Sequence, residues 1–232
     1  MNTKDILNSY QAKKTKQRKG IIIACFFVLL FILINVVLHF FLFPVRQKSV
    51  SMSPDIPSES IIMTTPLVPY LERGDVVVME PLVNEKKSFF NNIATMFTSF
   101  FTGQQIFPGE NSIVPGTKQK LRRVVGVPGD TIYMKDYVLY VKPQGAKHFL
   151  TEFEVASRPY NITFYSSPDN WDDTLCTKGS FEPFTLQNEQ YFVLADDRKA
   201  TDDSRLWGPV SKDDIVSKGL FCYFPFSEFK FL

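Results

Sequence analysis

The longest apolar run of the chain extends from Ile21 to Phe43 and is interrupted only by Asn35 and His39. At 1.5 Å per helical residue, about 20 residues cross a hydrocarbon core about 30 Å thick. The apolar region of a cleavable secretory signal is shorter, at about 7 to 15 residues. The pattern therefore predicts an uncleaved transmembrane signal anchor over residues 21–43.

Short runs of β-branched and aromatic residues predominate after the anchor, each bounded by Gly, Pro or Asp, as is typical of strands. The runs are Ser60–Thr64, Asp75–Met79, Leu121–Val127, Thr131–Val141, Gln190–Leu194 and Gly219–Phe224. Pro128-Gly129-Asp130 predicts a turn between two of them, because Gly129 can adopt a positive φ. We expect residues 44–232 to form one mostly β domain outside the membrane.

One segment, Ser88–Phe101, departs from the β pattern. Its apolar side chains recur at helical spacing, namely Phe89, Phe90, Ile93, Met96, Phe97, Phe100 and Phe101. The spacing predicts an amphipathic helix over residues 88–101 with no charge on its polar face. Two interpretations stay open: the helix packs on the domain core, or it lies in the plane of the outer leaflet.

Charge is distributed unevenly along the chain. The arm of residues 1–20 carries six Lys or Arg against the single acid Asp5, although the net charge of the whole chain is only +2. The remainder holds 20 basic against 23 acidic residues, so it offers no basic surface for nucleic acid. A basic flank of this kind stays in the cytoplasm. We therefore expect a single-pass protein with a cytoplasmic N-terminus.

The three cysteines have no C-x-x-C spacing, so they predict neither a zinc site nor a disulfide framework. Whether Cys176 and Cys222 pair stays open, because the sequence does not give the separation of their Cα atoms. Arg73-Gly74-Asp75 could display an adhesion motif, but it runs directly into Val76–Val78. That context favours a strand entrance over an exposed loop tip.

Four short segments carry the candidate chemistry, and they follow the anchor in order. They are Ser49-Val50-Ser51-Met52-Ser53-Pro54, Arg73-Gly74-Asp75-Val76-Val77-Val78, Arg122-Arg123-Val124-Val125-Gly126-Val127-Pro128-Gly129-Asp130, and Ala195-Asp196-Asp197-Arg198 continuing through Thr201 to Val210. Together they resemble the characteristic boxes of bacterial type I signal peptidases, membrane-anchored serine proteases of the Ser/Lys type. The resemblance implies a signal-peptidase-like β catalytic domain on an N-terminal transmembrane helix.

The resemblance assigns a role to individual residues of this chain. It implies that Ser51 is the nucleophile, that Ser49 assists the oxyanion hole, and that Thr201 orients the general base. Met52 and Val50 are implied to contact substrate. The charged residues implied to support the site are Asp196, Arg198, Asp203 and Arg205. No metal ion or organic cofactor is implied.

The position of the family's basic lysine is occupied here by Arg122. A serine hydroxyl needs a neighbouring base, and a guanidinium stays protonated at ordinary pH. Three interpretations stay open: Lys120, on the same strand face about 6.6 to 6.8 Å away, is the base; Arg122 supports an altered or reduced activity; or the reaction has been lost. Val50, Asp55, Ala195 and Asp197 also depart from the family pattern, and the charge of Asp197 would disfavour a neutral lysine nearby.

The resemblance implies a serine endopeptidase that removes signal peptides from secretory precursors on the outer face of the membrane. The alternative is a catalytically impaired relative that binds precursors or assists an active paralogue. Expected partners are precursor proteins, the lipid bilayer and the secretion translocon, but not nucleic acid. We expect small residues at the first and third positions before the cut, and binding of the precursor as an extended strand. The expected location is the cell inner membrane, with the catalytic domain in the periplasm or otherwise outside the cytoplasm.

Overall fold

A computed structural model describes residues 3–79, 120–163, 179–199 and 202–232. The chain begins with helix α1 (Thr3–Phe40), which contains both the basic arm and most of the predicted anchor. Within α1, the segment Thr15–Ile34 is long and apolar enough to cross a membrane, and none of it is buried against protein. It is the single such segment among the described residues. The predicted helix over residues 88–101 lies outside the described residues, as does Cys176.

The domain after α1 is mostly β, as the sequence predicts. Its strands are β1 (Phe43–Arg46), β2 (Ile61–Thr65), β3 (Val76–Met79), β4 (Lys120–Gly126), β5 (Thr131–Lys135), β6 (Val138–Lys142), β7 (Leu150–Thr151), β8 (Phe181–Thr185), β9 (Gln190–Leu194), β10 (Val210–Ser211), β11 (Ile215–Phe224) and β12 (Lys230–Phe231). Two short helices, α2 (Glu152–Val155) and α3 (Ser204–Trp207), and the 3₁₀ turns Lys212–Asp214 and Phe226–Glu228 complete the described elements.

The strands form two sheets in which every described pair is antiparallel. The larger sheet has the order β1-β2-β11-β3-β4-β9-β10, with β12 paired to β11. The smaller sheet has the order β7-β6-β5-β8. β4 lies inside the larger sheet, and its residues Leu121 to Gly126 are buried on both faces. Successive side chains of β4 therefore point into the protein core on opposite sides of the sheet.

The core consists of three apolar clusters. One lies beneath the loop after β1 and contains Met52, Ile56, Ile62, Val76, Val78, Leu121, Cys222 and Leu232. A second packs Val77, Val124 and Val193 against the segment from Val210 to Ile215. The third joins the two sheets through side chains such as Val125, Ile132 and Phe192. These clusters hold β4 and the loop after β1 in fixed relation to each other.

The predicted strand Thr131–Val141 is wrong in one respect, because the structure divides it into the hairpin β5–β6. Asp136 and Tyr137 form its two-residue turn, with φ values of 49° and 64°. The Tyr137 N–H donates to the carbonyl of Gly179, which helps to hold this backbone conformation. Neither residue is Gly or Asn, so the usual sequence signal of a tight hairpin is missing.

The predicted turn at Pro128-Gly129-Asp130 is confirmed. Gly129 has a φ of 87°, and the N–H of Asp130 donates to the carbonyl of Val127 at 3.1 Å. The adhesion hypothesis is not supported, because the side chain of Asp75 is buried. That carboxylate accepts hydrogen bonds from Lys218 and from the N–H of Glu72.

Candidate active site

Ser51 lies in the turn that connects β1 to β2, and it is 8% exposed. Met52 and Ile56 follow it and are fully buried in the first apolar cluster, which fixes the turn against the sheet. The Ser51 carbonyl accepts a hydrogen bond from the N–H of Asp197 at 3.0 Å. The first and fourth sequence segments, separated by about 145 residues, therefore meet at Ser51.

The Ser51 hydroxyl belongs to a small network of polar side chains. Its Oγ lies 2.8 Å from Oγ of Ser49 and 3.3 Å from Nε2 of Gln47. The Gln47 amide also donates to Ser49 at 3.1 Å. Sequence reasoning predicted Ser49 and Ser51 but missed Gln47. Gln47 lies before the first motif segment, and its contacts with the two hydroxyls become visible only in the fold.

Arg122 completes this network from β4. Its Nη1 donates to Ser51 Oγ at 3.1 Å and to the carbonyl of Leu121, while its Nε donates to the carbonyl of Asp202 at 2.7 Å. Burial lowers the pKa of Arg122 from its ordinary value, and the carboxylates of Asp203 and Asp202 act in the opposite direction. The side chain is 4% exposed, so its charge lies in a site largely closed to water.

Lys120 lies on the same face of β4 as Arg122, as the alternation of a strand requires. Its ammonium forms an ion pair with the carboxylate of Asp202 and lies 5.1 Å from the centre of the Trp207 ring. Among the described residues, the nitrogen side-chain groups that donate to Ser51 Oγ are those of Gln47 and Arg122. The structure therefore brings Arg122, and not Lys120, into contact with the hydroxyl.

Arg123, which follows Arg122 in the sequence, points to the opposite side of β4 and supports the turn that contains Ser51. Its guanidinium binds Asp196 through two hydrogen bonds of 2.8 and 2.6 Å, and it donates to Asp55 at 2.7 Å. It also lies 4.2 Å from the centre of the Tyr160 ring. Burial opposes the charge on Arg123 most strongly, but the carboxylates of Asp196 and Asp55 and the hydrogen bonds to Asp196 together raise the pKa of the guanidinium. Asp55, one of the departures from the family pattern, is thus an ion-pair partner that sequence reasoning did not anticipate.

The remaining predicted support residues form two buried ion pairs. Asp203 pairs with Arg205, accepts from the N–H of Ala195 at 3.2 Å, and caps α3 through the N–H of Arg205. Arg198 pairs with Glu152, whose carboxylate also accepts from the Tyr160 hydroxyl at 2.7 Å. Arg205 donates to the carbonyl of Arg198 at 3.0 Å, so the two pairs are connected.

The other predicted site residues are placed less directly. Val50 is 61% exposed beside Ser51, whereas Met52 is fully buried in the core cluster. Thr201 lies outside the described residues. The carboxylate of Asp197 accepts from the N–H of Lys199 at 3.0 Å. Glu152 and Tyr160 carry no motif of their own, and only the fold reveals their contact with Arg198.

Comparisons with known proteins agree with this architecture. A family model described as signal peptidase, peptidase S26, matches residues 19–224. Signal peptidase I of Bacillus amyloliquefaciens is 30% identical over 165 residues, which cover 70% of this chain and 78% of that protein.

Two further relatives show the same range of similarity. Signal peptidase I T of Bacillus subtilis strain 168 is 26% identical over 167 residues, covering 70% of this chain and 76% of the relative. Signal peptidase IB of Staphylococcus aureus strain MRSA252 is 32% identical over 117 residues, covering 48% and 56% respectively. With the family match spanning most of its length, this chain belongs to the peptidase S26 family of signal peptidases.

Proposed function

We propose that this chain binds the signal peptides of secretory precursors at the outer face of the membrane and presents Ser51 to the scissile bond. We further propose that Arg122, in the position of the general base, holds hydrolysis well below the rate of a lysine-type relative. The single observation that carries this proposal is the hydrogen bond from Arg122 Nη1 to Ser51 Oγ. The family supplies the class of reaction and of substrate.

The chemistry follows from what each group can accept or donate. For Ser51 to attack a peptide carbonyl, its proton must pass to a neighbouring acceptor. A charged guanidinium has five N–H donors and no acceptor, so Arg122 cannot take that proton. Its positive charge can still stabilise a developing alkoxide on Ser51. A site of this kind favours slow cleavage.

The same hydrogen bond favours a second function, a relative that binds precursors or assists an active paralogue without cleaving. Binding as an extended strand depends on backbone hydrogen bonds and pockets rather than on a base. The two functions differ in one measurable property, because only the first gives a cleaved product that depends on Ser51.

The lipid bilayer is the other partner that we propose. An aromatic surface, defined here as Phe221, Phe224, Phe226, Phe229 and Phe231, covers the outer side of β11, β12 and the turn between them. Four of its members are 44% to 81% exposed, and the contacting rings lie 5.8 to 6.2 Å apart. Exposed apolar patches of this kind mark interaction surfaces.

The position of the aromatic surface supports lipid as its partner. Phe221 is paired with Met63 on β2, and the next residue, Thr64, is paired with Phe43 at the start of β1. One residue along a strand is about 3.4 Å. The surface therefore begins close to the level at which the chain leaves α1. With the basic flank of α1 in the cytoplasm, this level corresponds to the outer leaflet.

The test is cleavage and binding of one purified precursor by the full chain in proteoliposomes. We expect the wild type to bind the precursor and cleave it slowly, and the Ser51→Ala variant to bind equally well without cleavage. Equal cleavage by both proteins would contradict the role of Ser51. If the folded wild type does not bind the precursor, the proposed substrate class is contradicted.

A further inference from the structure

Gln47 is a buried polar side chain that the family resemblance does not assign to the reaction. It is 4% exposed, and its backbone is held on both sides by hydrogen bonds to Ser60 and Glu59. Its amide nitrogen donates to both hydroxyls of the site, Ser49 and Ser51. A buried side chain in a fixed backbone has a defined direction, so these contacts constrain the hydroxyls.

The hydrogen-bonding capacity of Ser51 Oγ determines the effect of those contacts. A hydroxyl oxygen has two lone pairs and one proton. Both nitrogen neighbours, Gln47 Nε2 at 3.3 Å and Arg122 Nη1 at 3.1 Å, can only donate. They occupy the two lone pairs, so the proton of Ser51 points, among the described residues, to Ser49 Oγ at 2.8 Å. This contact is much shorter than the 3.4 Å from the Ser51 N–H to the same oxygen.

We propose that Gln47 is a positioning residue that acts with Arg122 to hold Ser51 as a hydrogen-bond donor to Ser49. In this arrangement no lone pair of the Ser51 oxygen is available to attack a carbonyl carbon. Gln47 therefore restrains the nucleophile, and a precursor must displace its amide before Ser51 can react. The inference rests on the proposed function, in which Ser51 is the reacting group.

Two variants of Gln47 separate this role from simple packing. Gln47→Met has a similar length but lacks the N–H groups, so it frees one lone pair of Ser51. Gln47→Glu replaces the donor by a carboxylate that can accept the Ser51 proton. Gln187, which is exposed on the loop after β8, provides the matched control Gln187→Met.

The measurement is acylation of Ser51 by a β-lactam electrophile in the full chain in detergent, followed by mass spectrometry of the Ser51 peptide. The Ser51 oxygen bonds to the lactam carbonyl carbon, the ring C–N bond breaks, and the hydroxyl proton ends on the ring nitrogen. The adduct retains the whole reagent, so its mass identifies the site. Thermal melting followed by circular dichroism reports whether each variant is folded.

We expect Gln47→Met to accelerate acylation about fivefold, the factor that corresponds to one neutral hydrogen bond. Gln47→Glu should also accelerate it, with a rate that falls at acidic pH as the new carboxylate becomes protonated. Gln187→Met should match the wild type. A merely structural Gln47 would give two slower variants and no new pH dependence.

Slower or unchanged acylation in the folded Gln47 variants, with clear acylation in Arg122→Lys, would overturn the role of Gln47 alone. If Gln47→Met does not fold, the acylation rate of Gln47→Glu and its pH profile decide whether Gln47 restrains Ser51. Absence of Ser51 acylation in every folded variant, including Arg122→Lys, would overturn the proposed function and this inference with it.

Discussion

The guanidinium of Arg122 donates a hydrogen bond of 3.1 Å to the hydroxyl of Ser51. The orientation of the guanidinium is fixed by two further hydrogen bonds, which it donates to the carbonyls of Leu121 and Asp202. A lysine in this position could lose its proton after burial and become a base, whereas an arginine remains a donor. The proposed effect of Arg122 on the chemistry therefore depends on this one side chain.

Lys120 provides the first prediction. Because its ammonium is paired with Asp202 and lies over Trp207, we expect Lys120→Ala to change the rate of precursor cleavage by less than about threefold, as for a partly exposed ion pair. The measurement is single-turnover cleavage in proteoliposomes beside the Ser51→Ala variant. Complete loss of cleavage in folded Lys120→Ala would identify Lys120 as the base. Full cleavage by the Lys120→Ala, Arg122→Ala double variant would show that neither residue is the general base.

The ion pair between Arg198 and Glu152 provides a prediction about stability. Both side chains are fully buried, and removal of one partner leaves an uncompensated charge. Arg198→Met should therefore lower the free energy of unfolding by about 3 to 5 kcal/mol. The Arg198→Met, Glu152→Leu double variant should lose less than the single variant. Denaturant unfolding of the full chain in detergent gives these values and that of Glu152→Leu, and a double-variant loss equal to the sum of the two single losses would show that the charges are not coupled.

The aromatic surface predicts contact with lipid at Phe226. A tryptophan at this position, in Phe226→Trp, should be quenched by brominated lipids in proteoliposomes. The control is Leu150→Trp, on β7 of the smaller sheet, which carries the same two native tryptophans. Its additional fluorescence should not be quenched. Equal quenching of the two variants, or none at residue 226, would contradict lipid contact by this surface.

The basic flank of α1 predicts the orientation of the chain. Residues 13–19 should lie in the cytoplasm and residues beyond Pro44 outside it. Protease added to the outer side of sealed right-side-out vesicles should cut within residues 44–232 and leave an N-terminal tag protected. Cleavage of residues 58–71 only when protease is added from the cytoplasmic side would contradict this orientation.

Much of the architecture could be predicted from the sequence, because local patterns determine it. The run of branched and aromatic residues predicted β9 (Gln190–Leu194) with the same bounds, and Gly129 predicted its turn. The hairpin at Asp136 and Tyr137 could not be predicted, since Tyr137 stands where the usual two-residue turn has a glycine.

The site was predicted only in part. The motif segments identified Ser49, Ser51 and the charged support residues, whereas the contacts of Gln47, Asp55 and Glu152 become visible only in the folded chain. Strand geometry placed Lys120 and Arg122 on one face, but it could not determine which of the two contacts Ser51. That choice depends on Asp202, which lies 80 residues away in sequence from Arg122 and binds both side chains.

The pH dependence of cleavage by Arg122→Lys tests the account most directly. A lysine in this buried position should have a lowered pKa, so its neutral form increases as the pH rises and can accept the Ser51 proton. General-base catalysis contributes about 10²- to 10⁴-fold. We therefore predict single-turnover cleavage faster than wild type by about that factor, with a rate that rises through the amine pKa and is abolished by Ser51→Ala. A folded Arg122→Lys variant that binds precursor but cleaves no faster than the wild type at any pH would contradict the account.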